Sequence, residues 1–269
     1  MIKGQDKLVN LFEKMTYDEL PHTFMLLGEY GCGKHSLSKD IASMFSLNYV
    51  DITETINVDI IEESFNIKIP TMYVIHIDKL NDQNILLKFM EEFREFIYVC
   101  VICDNDNLVL NTILNRCIIY RFEQYSQEFL KDTIAYTLAN DEDKELMLQI
   151  CTTPGQLMDL NNQNLKSIED ICHKLVLHIQ EANISNVLSL LNNFNFKDLY
   201  DKIDILIFFK VLKLTLFNFV KQDVSYYNKY ELVLDYSKKI NNSRFKKEEL
   251  MYSFLIDYWK LSKGVQLCN

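Results

Sequence analysis

The sequence predicts a parallel α/β domain built around a phosphate-loop turn, followed by a chain that is helical to its end. Three observations carry this expectation. A glycine-rich stretch, GEYGCGKHS from Gly28 to Ser36, lies between an apolar run, Thr23 to Leu27, and a helix-like segment, Leu37 to Phe45. Short apolar runs then alternate with helix-like segments as far as about residue 124, the pattern of strands joined by right-handed crossovers. From about residue 126 only helical periodicity remains.

Taken in order, residues 5–20 read as a helix with Leu8, Leu11, Phe12 and Met15 on one stripe, stopped by Pro21. The first strand is 23–27. Asn48 to Ile52 is a short strand, and Val58 to Phe65 an acidic helix that Pro70 closes. Met72 to Ile77 is apolar on both faces, as a central parallel strand should be. Residues 83–95 form an amphipathic helix, and Ile97 to Cys103 another buried strand that enters the polar turn Asp104–Asn107. A brief helix carries Leu108 to Leu114, and Cys117 to Tyr120 gives the fifth strand. Helical segments near 126–139, 142–151 and 155–160 follow, with Pro154-Gly155 as punctuation and Asn161–Asn164 as a linker. Residues 166–269 contain one Gly, Gly264, and no Pro, which suits a helical bundle.

Composition narrows the function classes. A net charge of −10 argues against a protein that grips nucleic acid by bulk positive charge. Seven scattered cysteines are odd in number and fit reduced thiols better than a disulfide framework. Met1 to Asp6 has no apolar leader core, and the most apolar later stretch, Ile205 to Val220, is broken by Lys210, Lys213 and Asn218. The expectation is a soluble, cytoplasmic protein without membrane contact.

Strand, glycine turn and helix form the context in which GxxxxGK cradles phosphate. Gly28, Gly31 and Gly33 let successive amides converge, Lys34 reaches the outer phosphates, and the helix dipole favours the anion. The residue after the lysine should be a Ser or Thr that holds Mg²⁺, and here it is His35, with Ser36 one place further on. Asp78 ends an apolar strand, where an acid would serve Mg²⁺. The next residue is Lys79, where a general-base Glu would stand.

Two further segments, Gln83-Asn-Ile-Leu-Leu-Lys-Phe-Met-Glu-Glu92 and Thr112-Ile-Leu-Asn-Arg-Cys117, resemble those of clamp-loader AAA+ subunits, and most closely a delta-prime-like subunit of the DNA polymerase III clamp loader. Gly4-Gln5 is similar to that family's entry motif. The likeness rests on motifs over residues 4–160 and on architecture beyond them. It implies an α/β AAA+ core with a parallel five-stranded sheet at 1–124, a small helical lid at 125–164 and an all-α collar for oligomerisation at 165–269. It also implies that Arg116 acts in trans as an arginine finger in a neighbour's ATP site. The first-sensor residue would fall near Cys103 to Asn105, with Asn105 as its candidate, and Gln156 stands where a second-sensor Arg would be. The losses at His35, Lys79 and Gln156 imply a stator that binds ATP or ADP at most, without Mg²⁺ or turnover. The implied partners are other AAA+ subunits, a sliding clamp indirectly, and primed-template DNA through the assembled ring. Two alternatives are an active ATPase, with Ser36 on Mg²⁺ and Asp82 as base, and a phosphate-loop kinase or nucleotide transferase.

Plainer readings stand beside these. Arg116 could simply suit a helix C-terminus. Lys34 could meet a structural carboxylate, Asp78 could cap the next helix, and Lys79 could be solvated or paired with an acid of the loop. His35 and His76 could suggest a metal pair, but His76 sits within an apolar strand and no ligand cluster accompanies it, so it reads as a core histidine and no metal ligand is expected. Cys100 and Cys103 should point to opposite faces of their strand. No Cys lies between Cys32 and Cys100, so the family's zinc module is not expected. Phe208, Phe209, Phe217 and Phe219 read as collar core and subunit interface.

Overall fold

The computed structural model describes residues 2–64, 66–80, 82–91, 95–135, 141–160, 165–179, 182–193, 204–240 and 246–264. Glu92 of the expected motif, the linker at 161–164 and the end of the helix expected to reach 139 lie outside them. The chain divides into two compact units, one made of Met1–Thr137 with Cys151–Met158, the other of Leu138–Ile150 with Asp159–Asn269.

In the first unit five strands form an all-parallel sheet: β1 (Thr23–Leu27), β2 (Asn48–Asp51), β3 (Thr71–His76), β4 (Ile97–Cys103) and β5 (Ile118–Arg121). Their spatial order is β2-β3-β4-β1-β5. All residues of β4 and all but the last of β3 are buried, which is why these strands read as unbroken apolar runs. Side-chain alternation builds two cores. Phe24, Leu26, Met72, Val74, Cys100 and Ile102 pack with Leu37 and Ile41 of α2 (Lys34–Met44) and with Leu8 and Phe12 of α1 (Asp6–Lys14). Met25, Leu27, Tyr73, Ile75, Val101 and Cys103 pack with Ile61 of α3 (Val58–Ser64), Leu86 and Phe89 of α4 (Asn84–Glu91), and Ile113 of α5 (Asn111–Leu114). Cys100 and Cys103 thus face opposite ways, as alternation requires.

The first helix is shorter than its apolar stripe suggests. It ends at Lys14, with Met15 extended, and Leu11 is exposed while Val9 is buried. The Glu19 carboxylate accepts from both the amide and the hydroxyl of Thr16 (2.8 and 2.9 Å) and starts a separate 3₁₀ turn, Tyr17–Glu19. Such a local cap competes with helix continuation. α6 (Gln127–Ala135) and the first residues of α8 (Pro154–Leu160) belong to this unit.

The second unit is helical: α7 (Asp141–Ile150), α9 (Leu165–His178), α10 (Ile184–Ser189), α11 (Ile205–Gln222), α12 (Tyr227–Ile240) and α13 (Lys247–Ser262). Asp204 caps α11 by accepting from the amides of Leu206 and Ile207. Phe208, Phe209, Tyr236, Phe254 and Tyr258 make an aromatic core, with Phe209 and Phe254 centroids 4.8 Å apart. The expected stripe divides here. Phe217 is 43% exposed, beside Tyr230 and beneath Lys221, and Phe219 is half-buried against Tyr226. Both lie outside that aromatic core, because they fall past Leu216, the last buried residue of α11. No helix among the described residues is long and apolar enough to cross a membrane.

Candidate functional site

The loop 28–36 leaves the C-terminal end of β1, where Leu27 is in register with Cys103 on one side and Arg121 on the other. Gly31 and Gly33 take φ of +79° and +100°, which L side chains rarely adopt. The Gly28 amide donates to the Cys103 carbonyl (3.2 Å), fixing the loop's origin to the sheet. Lys34 opens α2, and its side chain is only 6% exposed. Its ammonium donates to the carbonyls of Gly28 (2.5 Å) and Glu29 (2.8 Å) and stands 2.7 Å from a carboxylate oxygen of Asp104. The plainer reading of Lys34 therefore describes the geometry: the loop carbonyls and one strand-end acid take up the lysine's charge.

Asp104 lies within the span, Cys103 to Asn105, where the sequence places a sensor residue, although Asn105 is the donor expected there. Asn105 is exposed and turns to accept from the amide of Asn107 (3.0 Å), capping the 3₁₀ turn Asp106–Leu108. Asp104, directly after the β4 residue that pairs with the end of β1, is the residue that meets Lys34. Asp78, two residues beyond β3 in the 3₁₀ turn Ile77–Lys79, caps no helix among the described residues. Its carboxylate accepts from the amide of Asp104 (2.7 Å), and desolvation among the strand ends pushes it above the usual carboxylate range. The cap of α4 is Asp82, which accepts from the amide and side chain of Asn84 (2.9 and 2.8 Å), so the acid considered as an alternative base is a helix cap. Ser36 is exposed on the first turn of α2.

Backbone glycines and the helix start fit a phosphate group. The side chains do not fit the Mg²⁺ that accompanies nucleotide in such loops: His35 replaces the hydroxyl, and Asp78 is bonded to the Asp104 amide. The loop is also clasped from outside. The Gly155 amide donates to the Gly31 carbonyl (2.9 Å), while the Thr153 hydroxyl (2.8 Å) and the Gln156 side chain (3.3 Å) donate to the Tyr30 carbonyl. Gln156, where a second-sensor Arg would stand, is thus bound to loop backbone. Gly28, Glu29 and Cys32 also line a cavity of 270 Å³ together with Asp104, Asp106 and Glu123.

The other motif residues interlock. The Gln5 side chain donates to the Glu123 carbonyl (2.8 Å) and accepts from the Glu123 amide (3.0 Å), and the Tyr125 hydroxyl donates to the Cys32 carbonyl (2.7 Å). Gln83 accepts from the Leu110 amide (3.0 Å), and Arg116 donates to Glu91 (3.1 Å) and to the Thr112 carbonyl (2.9 Å). The QN-x-LLK and T-I-L-N-R-C segments are therefore one structure, tied at both ends of α4. Arg116 is exposed, and its bond to a carbonyl of α5 is the helix-terminus role foreseen as the plainer reading.

The structure also brings together His35 and His76, a pair that the sequence suggests but leaves without a further ligand, and adds Asp51 to them. His35, Asp51 and His76 each present a donor atom, all three within 4.8 Å of one another. Reading Tyr49 and Asp51 on one face of β2, and Met72, Val74 and His76 on the same face of β3, would have found them.

A parallel sheet ordered β2-β3-β4-β1-β5 with GxxxxGK after β1 defines an AAA+-type phosphate-loop protein. The family model described as "DNA polymerase III, delta subunit" matches residues 46–126, which contain both interlocked motifs and exclude the loop. On that segment and this fold, the chain resembles a clamp-loader AAA+ subunit. Among solved structures it is similar to a DNA polymerase III gamma subunit-related protein of Thermotoga maritima, with 14% identity over 97% of this chain and 100% of that one and a TM-score of 0.51. It is also similar to the RuvB Holliday junction branch migration motor of the same organism, with 16% identity over 78% of this chain and 69% of that one and a TM-score of 0.46. No curated protein matches the sequence.

Proposed function

We propose that the chain is a delta-prime-like stator of a clamp-loading ring, without ATP turnover of its own, and that it lends Arg116 to a neighbouring subunit's ATP site. The observation that carries this reading is Lys34, buried and held by Gly28, Glu29 and Asp104. Three further losses support it: the absent Mg²⁺ hydroxyl at His35, the lysine after Asp78, and a Gln bonded to Tyr30 in place of a sensor arginine. Arg116 lies on an exposed surface, tethered among the described residues by Glu91 and one carbonyl, so that its guanidinium can turn outward to a partner. In this reading the chain has a cytoplasmic core of residues 1–124, a lid at 125–164 and a collar at 165–269. Its contacts are with other AAA+ subunits, and through them with clamp and DNA.

The test pairs two assays. Alone, the chain should hydrolyse ATP no faster than its Lys34→Ala variant. In a ring reconstituted with its partner subunits, Arg116→Ala should slow turnover at the adjacent site by about 10³-fold, the scale of a lost arginine finger. Turnover by the isolated chain, or an unchanged ring with Arg116→Ala, would refute the proposal.

A further inference from the structure

We propose that His35, Asp51 and His76 form a three-ligand site for a borderline divalent transition metal, with Zn²⁺ as its ion. The ligands come from three elements that meet at one corner of the sheet: the first turn of α2, the last residue of β2 and the last residue of β3. Nδ1 of His35 lies 3.4 Å from Nε2 of His76 and 3.9 Å from Oδ2 of Asp51. A tetrahedral zinc ion with bonds of about 2.0–2.1 Å sets its ligand atoms about 3.3–3.4 Å apart. The imidazole pair already has that spacing. The carboxylate, 3.9 Å from His35 and within 4.8 Å of His76, has to approach the first by about half an ångström and the second by up to about 1.4 Å, by rotation of the Asp51 side chain.

The surroundings orient the ligands. Oδ1 of Asp51 accepts from the amide (3.0 Å) and hydroxyl (2.7 Å) of Thr53, which turns Oδ2 toward the histidines. The same hydroxyl accepts from the His76 amide (3.0 Å), so one threonine fixes two of the three ligands. Two imidazoles and one carboxylate suit zinc and its neighbours in the first transition row, whereas Mg²⁺ prefers oxygen. Three protein ligands leave a fourth position for water or an incoming donor. The ion would tie the start of α2, and with it Lys34, to the ends of β2 and β3.

The competing account is a metal-free pair in which one imidazole N–H donates to the other ring. Metal binding to the full chain, stripped with chelator and kept reduced, separates the two. Zn²⁺ is titrated against a chromophoric competitor, and Co²⁺ is followed by its visible absorption. The expected result is about one equivalent bound with the intense bands of four-coordinate cobalt, not displaced by excess Mg²⁺. His76→Gln and Asp51→Asn should each weaken it by on the order of a hundredfold, and Thr53→Val by about tenfold. Circular dichroism identifies any variant that fails to fold, and Thr53→Val leaves all three ligands in place. No stoichiometric binding, or binding that all three folded variants retain, overturns the proposal. The readout is metal occupancy and does not depend on whether the chain serves a clamp loader.

Discussion

Replacing Gly155 by alanine tests how tightly the phosphate loop is clasped. The residue lies in the first turn of α8, and in an open helix the change would stabilise by up to about 1 kcal/mol. Here the new Cβ would stand 2.5 Å from the Cα of Gly31 and 2.8 Å from its carbonyl oxygen. Carbon atoms settle about 3.5–4.0 Å apart, so the two backbones must part by roughly 1 Å. Neither can yield by a side-chain rotation, because backbone opposes backbone. Overpacking of this kind costs about 1–3 kcal/mol. Separation also breaks the bond from Gly155 to the Gly31 carbonyl and the bond from Thr153 to Tyr30, at about 1 kcal/mol each. Subtracting the helix gain leaves a net loss of about 3 kcal/mol, confined to the clasp. Hydrogen exchange resolved to peptides is the suitable assay, because a chain of two units has no single unfolding free energy. The amides of Gly155 and Cys32 should exchange about a hundredfold faster, while those of α11 do not change. Gln156→Ala removes the 3.3 Å bond to the Tyr30 carbonyl and the long bonds accepted from the amide and hydroxyl of Thr152 (3.3 and 3.4 Å) but leaves the backbone contact in place, and should change the same amides by less than tenfold. Unchanged exchange at Gly155 and Cys32 in Gly155→Ala would refute the reasoning.

Two predictions concern the second unit, where Trp259, the sole tryptophan, reports unfolding by fluorescence. The Tyr258 hydroxyl is buried without a hydrogen-bond partner among the described residues, so Tyr258→Phe should stabilise by about 1 kcal/mol and raise the midpoint by a few degrees; a loss of more than about 1 kcal/mol would mean the hydroxyl has a partner. Lys229 is buried beside the rings of Tyr226 and Tyr258, and desolvation pulls its pKa below the ordinary lysine value of 10.5. The unfolded chain then holds more protons between that lowered pKa and 10.5, so stability should rise with pH through this window and fall as pH drops back through it. Lys229→Met should abolish the rise and stabilise at neutral pH by on the order of 1 kcal/mol, part of the charge's cost being offset by the rings. A steeper rise in the variant would contradict this.

Much of the architecture could be read from residue types. Buried parallel strands advertise themselves as apolar runs, and the glycine turn after β1 marks where a phosphate site lies. The spatial order of the strands is set by crossovers that no local pattern records. Side-chain choices at strand ends were harder still. Asn105 and Asp104 are adjacent polar residues in one turn, and only the turn geometry decides that the acid meets Lys34 while the amide caps Asn107. Asp82 reads as a free acid until the start of α4 is placed two residues beyond it. His35 and His76 already suggest a pair in the sequence, but nothing local marks Asp51, sixteen residues or more from either, as joining them, although the alternation of β2 and β3 puts it on the face that α2 covers.

The contact between Lys34 and Asp104 makes the strand-end acid a tethered competitor for the loop's own lysine. A carboxylate attached to the same fold acts at an effective concentration of millimolar or more. Any free phosphate that seeks the ammonium must outbid that local concentration before it gains affinity. The loop therefore sets a threshold, yielding to an anion that also engages its backbone amides and ignoring one that offers charge alone.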